Sequence, residues 1–457
     1  MTETSTPATA TRADLRTQRL LQAPIVPLLL AMAWPNILIM VAQSSTGLIE
    51  TWFVSRLGTD MLAGMALAFP PVMLMTMISA GAMGGGISSA VARAIGAGRR
   101  DDADGLVLHA LVINTAIGLM FSAIFLLFGR PIYRVMGSSG GELEAALVYS
   151  TIVFGGNVFI WIMNALASVI RGTGNILFPA VVICIGLVFL VPLSPLLIFG
   201  FGPVPAMGIA GGGVAMILFY VFGTAALAWY ILAGRCSVRF RWVRLHRTAL
   251  GSILGVGAIS AITSIQTNLT IGGATALVAS FASVGAVAGY GTGARLEYLL
   301  VPMIFGIGAP LVALVGTNIG AGQQERAVKI ALAGGAMAFG LTEAIGLIAA
   351  VWPGAWLGLF STDPDMIRTG SAYLRMVGPF YGFFGLGLSL YFASQGAGRL
   401  TWPLMAGFVR IFIALGGGWM LVRLTGSVDG LFAGIALGLV VYGLTIFQAV
   451  RSGTWFR

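Results

Sequence analysis

The chain has 457 residues, 58% of them hydrophobic and only 9% charged, with a mean hydropathy of +0.96. Water-soluble domains run near 25% charged, so this composition excludes a soluble fold. The net charge of +10 does not point to nucleic acid, because the basic residues cluster at the ends of apolar runs and not on one face, as in a helical membrane protein.

Met1 to Gln22 is polar and carries Arg12, Arg16 and Arg19 ahead of the first apolar run. It has no small-residue cleavage site directly after a short apolar core, so residues 1–23 read as a cytoplasmic tail. Six apolar runs follow at roughly 24–52 (α1), 61–91 (α2), 105–128 (α3), 146–168 (α4), 176–200 (α5) and 207–233 (α6), each able to cross a hydrocarbon core of about 30 Å. A basic linker, 234–248, holds Arg235, Arg239, Arg241, Arg244 and Arg247 beside Cys236. Six more runs lie at roughly 250–275 (α7), 287–316 (α8), 327–351 (α9), 371–393 (α10), 401–423 (α11) and 430–450 (α12). The expected fold is an all-α polytopic membrane protein with two six-helix lobes, 24–233 and 249–457.

The halves are related. Ile95-Gly96-Ala97-Gly98 recurs as Ile319-Gly320-Ala321-Gly322, an offset of 224 residues. The same offset carries Tyr149 onto Tyr373, Gly172 onto Gly396, Gly174 onto Gly398 and Pro179 onto Pro403. Each Ile-Gly-Ala-Gly follows an apolar run and precedes a charged segment, so it reads as a turn capping a membrane helix. Six helices per half is an even number, so both halves enter the membrane in the same sense, a parallel repeat about an axis along the membrane normal. Seventeen of the 25 basic residues fall on the side of the tail and linker and six on the other, which places both termini in the cytoplasm.

Three acids fall inside the spans: Glu50 in α1, Glu297 in α8 and Glu343 in α9. A charge at mid-bilayer costs on the order of 3 kcal/mol even on the lenient scale, so each should face protein or water. Glu50 has Gln43 two turns earlier on a similar face, or snorkels outward near Arg56. Glu297 either works in transport or is neutralised by Arg295, and Glu343, with no obvious local partner, either carries protons or is a structural acid. Gln266 and Asn268 lie among Thr263, Ser264, Thr267 and Thr270 in α7, a polar stretch that suggests a water-filled cavity. Asn114, Asn157, Asn164, Asn318 and Gln395 read as partners of inter-helix hydrogen bonds. Gly84-Gly85-Gly86 and Gly416-Gly417-Gly418 read as close-packing or hinge sites. Two cysteines and two histidines give neither a disulfide framework nor a metal site. No nucleotide-binding glycine loop or catalytic constellation is present, so neither an enzyme nor a cofactor is expected.

Four segments together resemble the multidrug and toxic compound extrusion (MATE) family over essentially the whole chain. They are Ile49-Glu50-Thr51-Trp52-Phe53-Val54-Ser55-Arg56-Leu57-Gly58, the duplicated Ile-Gly-Ala-Gly turns, Arg171-Gly172-Thr173-Gly174 and Gly208-Ile209-Ala210-Gly211. The resemblance implies a V-shaped pair of lobes around a central cavity. It further implies export of organic, cationic, drug-like compounds in exchange for H⁺ or Na⁺, by a monomer in the cell's inner membrane. Glu50 stands where the family has an Asp and is the expected cation-coupling residue, with Gln43, Gln266, Asn268, Glu297 and Glu343 as further cavity or coupling candidates. The family's Asn/Asp pair in α5 and its acid in α10 have no counterpart here. A flippase for lipid-linked precursors, in the same superfamily, is the alternative; it should line its cavity with cations, and the in-span arginines are only Arg295 and Arg410.

Overall fold

The structure, a computed structural model, describes residues 12–137 and 139–456. All regular elements among them are helical. The spans are α1 Ile25–Ser55, α2 Thr59–Gly96, α3 Arg100–Val135, α4 Gly141–Gly155 with Asn157–Gly172, α5 Leu177–Phe199 and α6 Ile209–Leu232. The second half follows as α7 Arg247–Phe281, α8 Val284–Gly320, α9 Gln324–Val351, α10 Pro364–Ala397, α11 Thr401–Thr425 and α12 Asp429–Arg451. Eleven helices among the described residues are long and apolar enough to cross a membrane, twelve when the bent pair of α4 counts as one span. Six of them, α2, α3, α4, α7, α8 and α10, run a turn or more past the apolar limits set by the sequence. The 37 residues of α8 reach well beyond a core of about 30 Å at roughly 1.5 Å per residue.

The 224-residue repeat is written into the backbone. Gly98 and Gly322 have φ of 72° and 75°, a left-handed conformation that a side chain would strain. Their N–H groups bond to Ile95 and Ile319 at 3.0 Å each, and the next N–H groups, of Arg99 and Gln323, reach back to Ala94 and Asn318. The break between the two pieces of α4, a 48° bend after Gly155, falls where α10 changes to a short 3₁₀ turn, Gly378–Phe380. Within each lobe one glycine lets the end of a helix lie on its neighbour. A Cβ on Gly172 would stand 2.8 Å from the Ser88 carbonyl oxygen, and one on Gly396 would stand 2.6 Å from that of Val312. Ser88 and Val312 are themselves at the repeat offset.

Two apolar cores result. One gathers residues of α2 to α6 with Ile39 and Val54 from the rest of α1, and the other residues of α7 to α12 together with Leu28, Leu29, Met32 and Ala33 from the start of α1. The two cores meet along α2, whose three consecutive glycines each face a different helix. A Cβ on Gly84 would meet Ser168 of α4, one on Gly85 would meet Gln395 of α10, and one on Gly86 would meet Ile253 of α7. Such close approach is how small residues bind membrane helices, where apolar burial supplies no drive between them. Gly416 and Gly417 meet nothing within 4 Å, so close packing does not explain them; they lie in a π-helical turn of α11, Phe412–Gly417.

The lobes are pressed hardest together at the end that carries the Ile-Gly-Ala-Gly turns, called here the tail end. A Cβ on Gly96 would stand 2.0 Å from the Thr317 carbonyl oxygen, and one on Gly320 would stand 2.2 Å from the Arg93 carbonyl oxygen. The N-terminal helix Arg12–Gln22 lies across this seam. Leu20 is buried, would touch a Cβ on Gly174 of one lobe, and gives its carbonyl to the Asn318 amide of the other at 3.2 Å. The linker also packs. His109 donates from Nδ1 to the Gly105 carbonyl at 2.8 Å and accepts at Nε2 from the His246 N–H at 3.0 Å, while the Arg239 N–H bonds Asp104 at 2.7 Å.

Candidate functional site

Glu50 lies near the end of α1 and turns inward. Arg56, its expected outward partner, stacks instead over the Trp52 ring at 4.4 Å. One Glu50 carboxyl oxygen is buried with no hydrogen-bond partner. Tyr149 of α4 and Tyr220 of α6 lie within electrostatic reach of it, and Tyr133 of α3 stands behind Tyr149. The Tyr149 hydroxyl lies 3.6 Å from the Met216 sulfur. Four helices of one lobe thus surround a carboxyl that forms no ion pair among the described residues. Gln43, two turns earlier, is exposed.

The other polar candidates separate. Glu297 is paired, but with Arg410 of α11 and not with Arg295: Arg410 Nη2 stands 2.7 Å from Glu297 Oε1, both side chains being under 8% exposed. Arg295 is exposed and lies 5.9 Å from the Phe360 ring centroid. The Arg410 guanidinium is further covered by the rings of Phe384 at 5.2 Å and Tyr442 at 5.6 Å. Glu343 also has a partner that local sequence could not reveal. The break in α10 leaves the Gly382 N–H without a helical acceptor, and Glu343 Oε2 accepts it at 2.7 Å.

The polar stretch of α7 splits as well. Gln266 turns into the bundle, donating to the Leu404 carbonyl of α11 at 3.2 Å, and is 5% exposed, with its Oε1 buried and unpartnered. Thr263, Thr267 and Thr270 spend their hydroxyls on carbonyls one turn back, and Asn268, exposed, does the same with Ser264 at 2.9 Å. Asn157 and Asn164 make the expected contacts between helices, to the Gly118 carbonyl at 2.9 Å and the Ser79 hydroxyl at 3.1 Å. Asn114 differs, bonding only within its own helix to the Ala110 carbonyl at 2.9 Å.

Gln395 makes the inter-helix bonds expected of it, and it does so in a polar seam between the lobes that the sequence does not reveal. Gln395 of α10 donates to the Gly81 carbonyl of α2 at 3.2 Å and to Ser260 of α7 at 2.9 Å. Arg93 of α2 donates to the Gly396 carbonyl at 3.1 Å and also bonds Ser89. Charge counting had treated Arg93 as a residue of the water-facing side. With Arg171, Ser88, Phe305 and Phe392, Gln395 lines a void of about 20 Å³, large enough for one water, where the two lobes meet. The tyrosines at the acids were missed too, although Tyr149 and Tyr373 were already marked by the repeat.

A family model described as MatE matches residues 35–196 and 261–420, one segment in each half. The chain belongs to the MatE family. It is therefore a multi-pass membrane transporter, and the matched segments end 224 residues apart, the offset of the repeat. Among curated relatives, the FAD transporter of Shewanella oneidensis is 26% identical over 93% of this chain and 93% of its own. The probable multidrug resistance protein NorM of Thermotoga maritima is 25% identical over 82% of this chain and 80% of its own. A MATE crystal structure in the bent conformation superposes with a TM-score of 0.88 at 23% identity, over 97% of this chain and 98% of that one. An outward-facing multidrug resistance MATE transporter superposes with a TM-score of 0.87 over the same shares, also at 23%. These likenesses fix the fold.

Proposed function

We propose that this transporter is a secondary antiporter that exports organic, cationic, drug-like compounds in exchange for H⁺ or Na⁺, and that Glu50 is where the ion couples. It works as a monomer in the cell's inner membrane with its tail end and both termini in the cytoplasm. The lobes 24–233 and 249–457 are the moving units, joined by the linker 234–248. The observation that carries this is the buried, unpartnered oxygen of Glu50 near tyrosines, with no ion pair to a basic side chain among the described residues. An ionised carboxylate so placed costs on the order of 3 kcal/mol, and a captured cation removes that cost. The cation-loaded and empty states then favour different arrangements of α1 against α4 and α6, and the lobes follow by population shift. The tight seam at the tail end and the exposed Gln43 support a cleft open to the outside in this state.

Glu50→Gln keeps size and hydrogen bonding and removes titration. It is expected to insert normally, bind substrate and fail to export it against a gradient, whereas Glu50→Asp keeps partial activity. Dye uptake into inverted vesicles under imposed pH or Na⁺ gradients is the measurement. Wild-type rates from Glu50→Gln at equal abundance would remove Glu50 from the mechanism. A second substrate reading, a flavin dinucleotide, is favoured by the relative named as an FAD transporter. The same vesicles given FAD in place of dye decide between them.

A further inference from the structure

Two in-span carboxylates each lie near a tyrosine of the repeat, although the acids themselves are not repeat partners. Glu50 lies within electrostatic reach of Tyr149, and Glu297 within that of Tyr373, the residue 224 positions on. Glu50 enters its chamber from α1. Glu297 enters from α8, which is the repeat partner of α2. Around Glu297 stand Tyr290 and Tyr298 of its own helix, Tyr373 and Tyr381 of α10, Tyr442 of α12 and the guanidinium of Arg410. These are the titratable and charged groups that the packed elements present to it. The decisive difference is Arg410. Its repeat position in α5 is Gly186, packed against the Phe219 ring, so no basic side chain stands there in the first lobe.

We propose that Arg410 is a tethered cation filling, in the second lobe, the place that a transported H⁺ or Na⁺ takes beside Glu50 in the first. The Glu297 chamber is a latent cation site kept shut by its own chain. One cation is then exchanged per cycle, through Glu50, and removing the guanidinium uncovers a second site for a small monovalent cation at Glu297. This rests on the antiporter reading and extends it to the number of coupling sites. A pair under 8% exposed, 2.7 Å apart and roofed by aromatic rings excludes water, so its charges neutralise each other and neither is free for an ion.

The test is carbodiimide labelling of purified protein at neutral pH, with adducts mapped by mass spectrometry, because dicyclohexylcarbodiimide attacks protonated carboxyls in apolar surroundings. Wild type is expected to carry an adduct on Glu50 and none on Glu297. Arg410→Gln should gain an adduct on Glu297 that Na⁺ or higher pH suppresses, and Arg410→Lys, which keeps a cation, should not. Labelled Glu297 in wild type, or unlabelled Glu297 in folded Arg410→Gln, overturns the inference. Should Arg410→Gln not fold, the neutral pair Glu297→Gln with Arg410→Gln carries the question, since a matched neutral pair leaves no uncompensated charge. It is expected to keep gradient-driven transport with one cation per cycle. Loss of coupling by that pair at equal abundance overturns the inference equally. Labelling of Glu50 reports on the antiporter reading and labelling of Glu297 on this one, so the two fail separately.

Discussion

Three acids in similar apolar helices have three different situations, and only the fold distinguishes them. Glu343 is matched to a backbone group freed by the break in α10. Glu343→Gln retains an acceptor for the Gly382 N–H and should transport like wild type. Glu343→Leu leaves that donor unmet at a cost of about 1–3 kcal/mol, which a lowered thermal midpoint of the purified protein would report. The sequence could not separate Glu343 from Glu50, because each partner lies on another helix: Gly382 is 39 positions from Glu343, and Arg410 is 113 from Glu297. Cys236 shows the same limit outside the membrane. A linker cysteine reads as a handle for thiol reagents, yet it is only 8% exposed and burial pushes its thiol pKa up. The thiolate is the reactive form, so labelling should be slow at neutral pH and still be rising above the pH where an ordinary cysteine has levelled off. A maleimide rate measured against pH, native and denatured, checks this; fast labelling of native protein at neutral pH contradicts it.

At the level of helices, hydropathy located every span, and the glycine turns located the ends of α2 and α8. Hydropathy undershot the lengths of half the spans, α3 and α10 most of all, because polar residues continue those helices outside the apolar band. It also could not fix rotation about the helix axis, which packing sets; hence Gln266 was expected at a cavity and lies against Leu404. The crossing of α2 and α8 makes a sharper statement. A methyl on Gly96 would need space now held by the Thr317 carbonyl, and one on Gly320 space held by that of Arg93, at 2.0 and 2.2 Å. Overpacking of this kind costs about 1–3 kcal/mol, all of it in the state with the tail end closed. Gly96→Ala and Gly320→Ala should therefore shift the population toward a tail-open state by similar amounts. Spin labels on Arg99 and Glu325, both exposed, should show a longer distance in each variant, and an unchanged distribution would show that the crossing does not set the closed state.

On the scale of the whole molecule, the repeat was legible from ten or so residues, and the backbone repeats it at turns, at breaks and at the closest helix contacts. What the sequence did not show is how the halves face one another. Gly96 meets Thr317 and Gly320 meets Arg93, and each partner is the other's counterpart at the same offset. That reciprocity is the signature of an isologous interface, in which residue i of one copy touches residue j of its twin and j touches i. The internal seam of this single chain has the form of a homodimer contact. This is the geometry that fusion through a basic linker leaves when two copies of a half-length chain, each with one Ile-Gly-Ala-Gly turn, pair through that crossing. Such an origin leaves a trace that can be measured now: the halves 1–246 and 247–457, co-expressed as separate chains, should recover each other from the membrane and co-purify. Gly96→Leu in the first half should abolish the pairing without preventing its insertion.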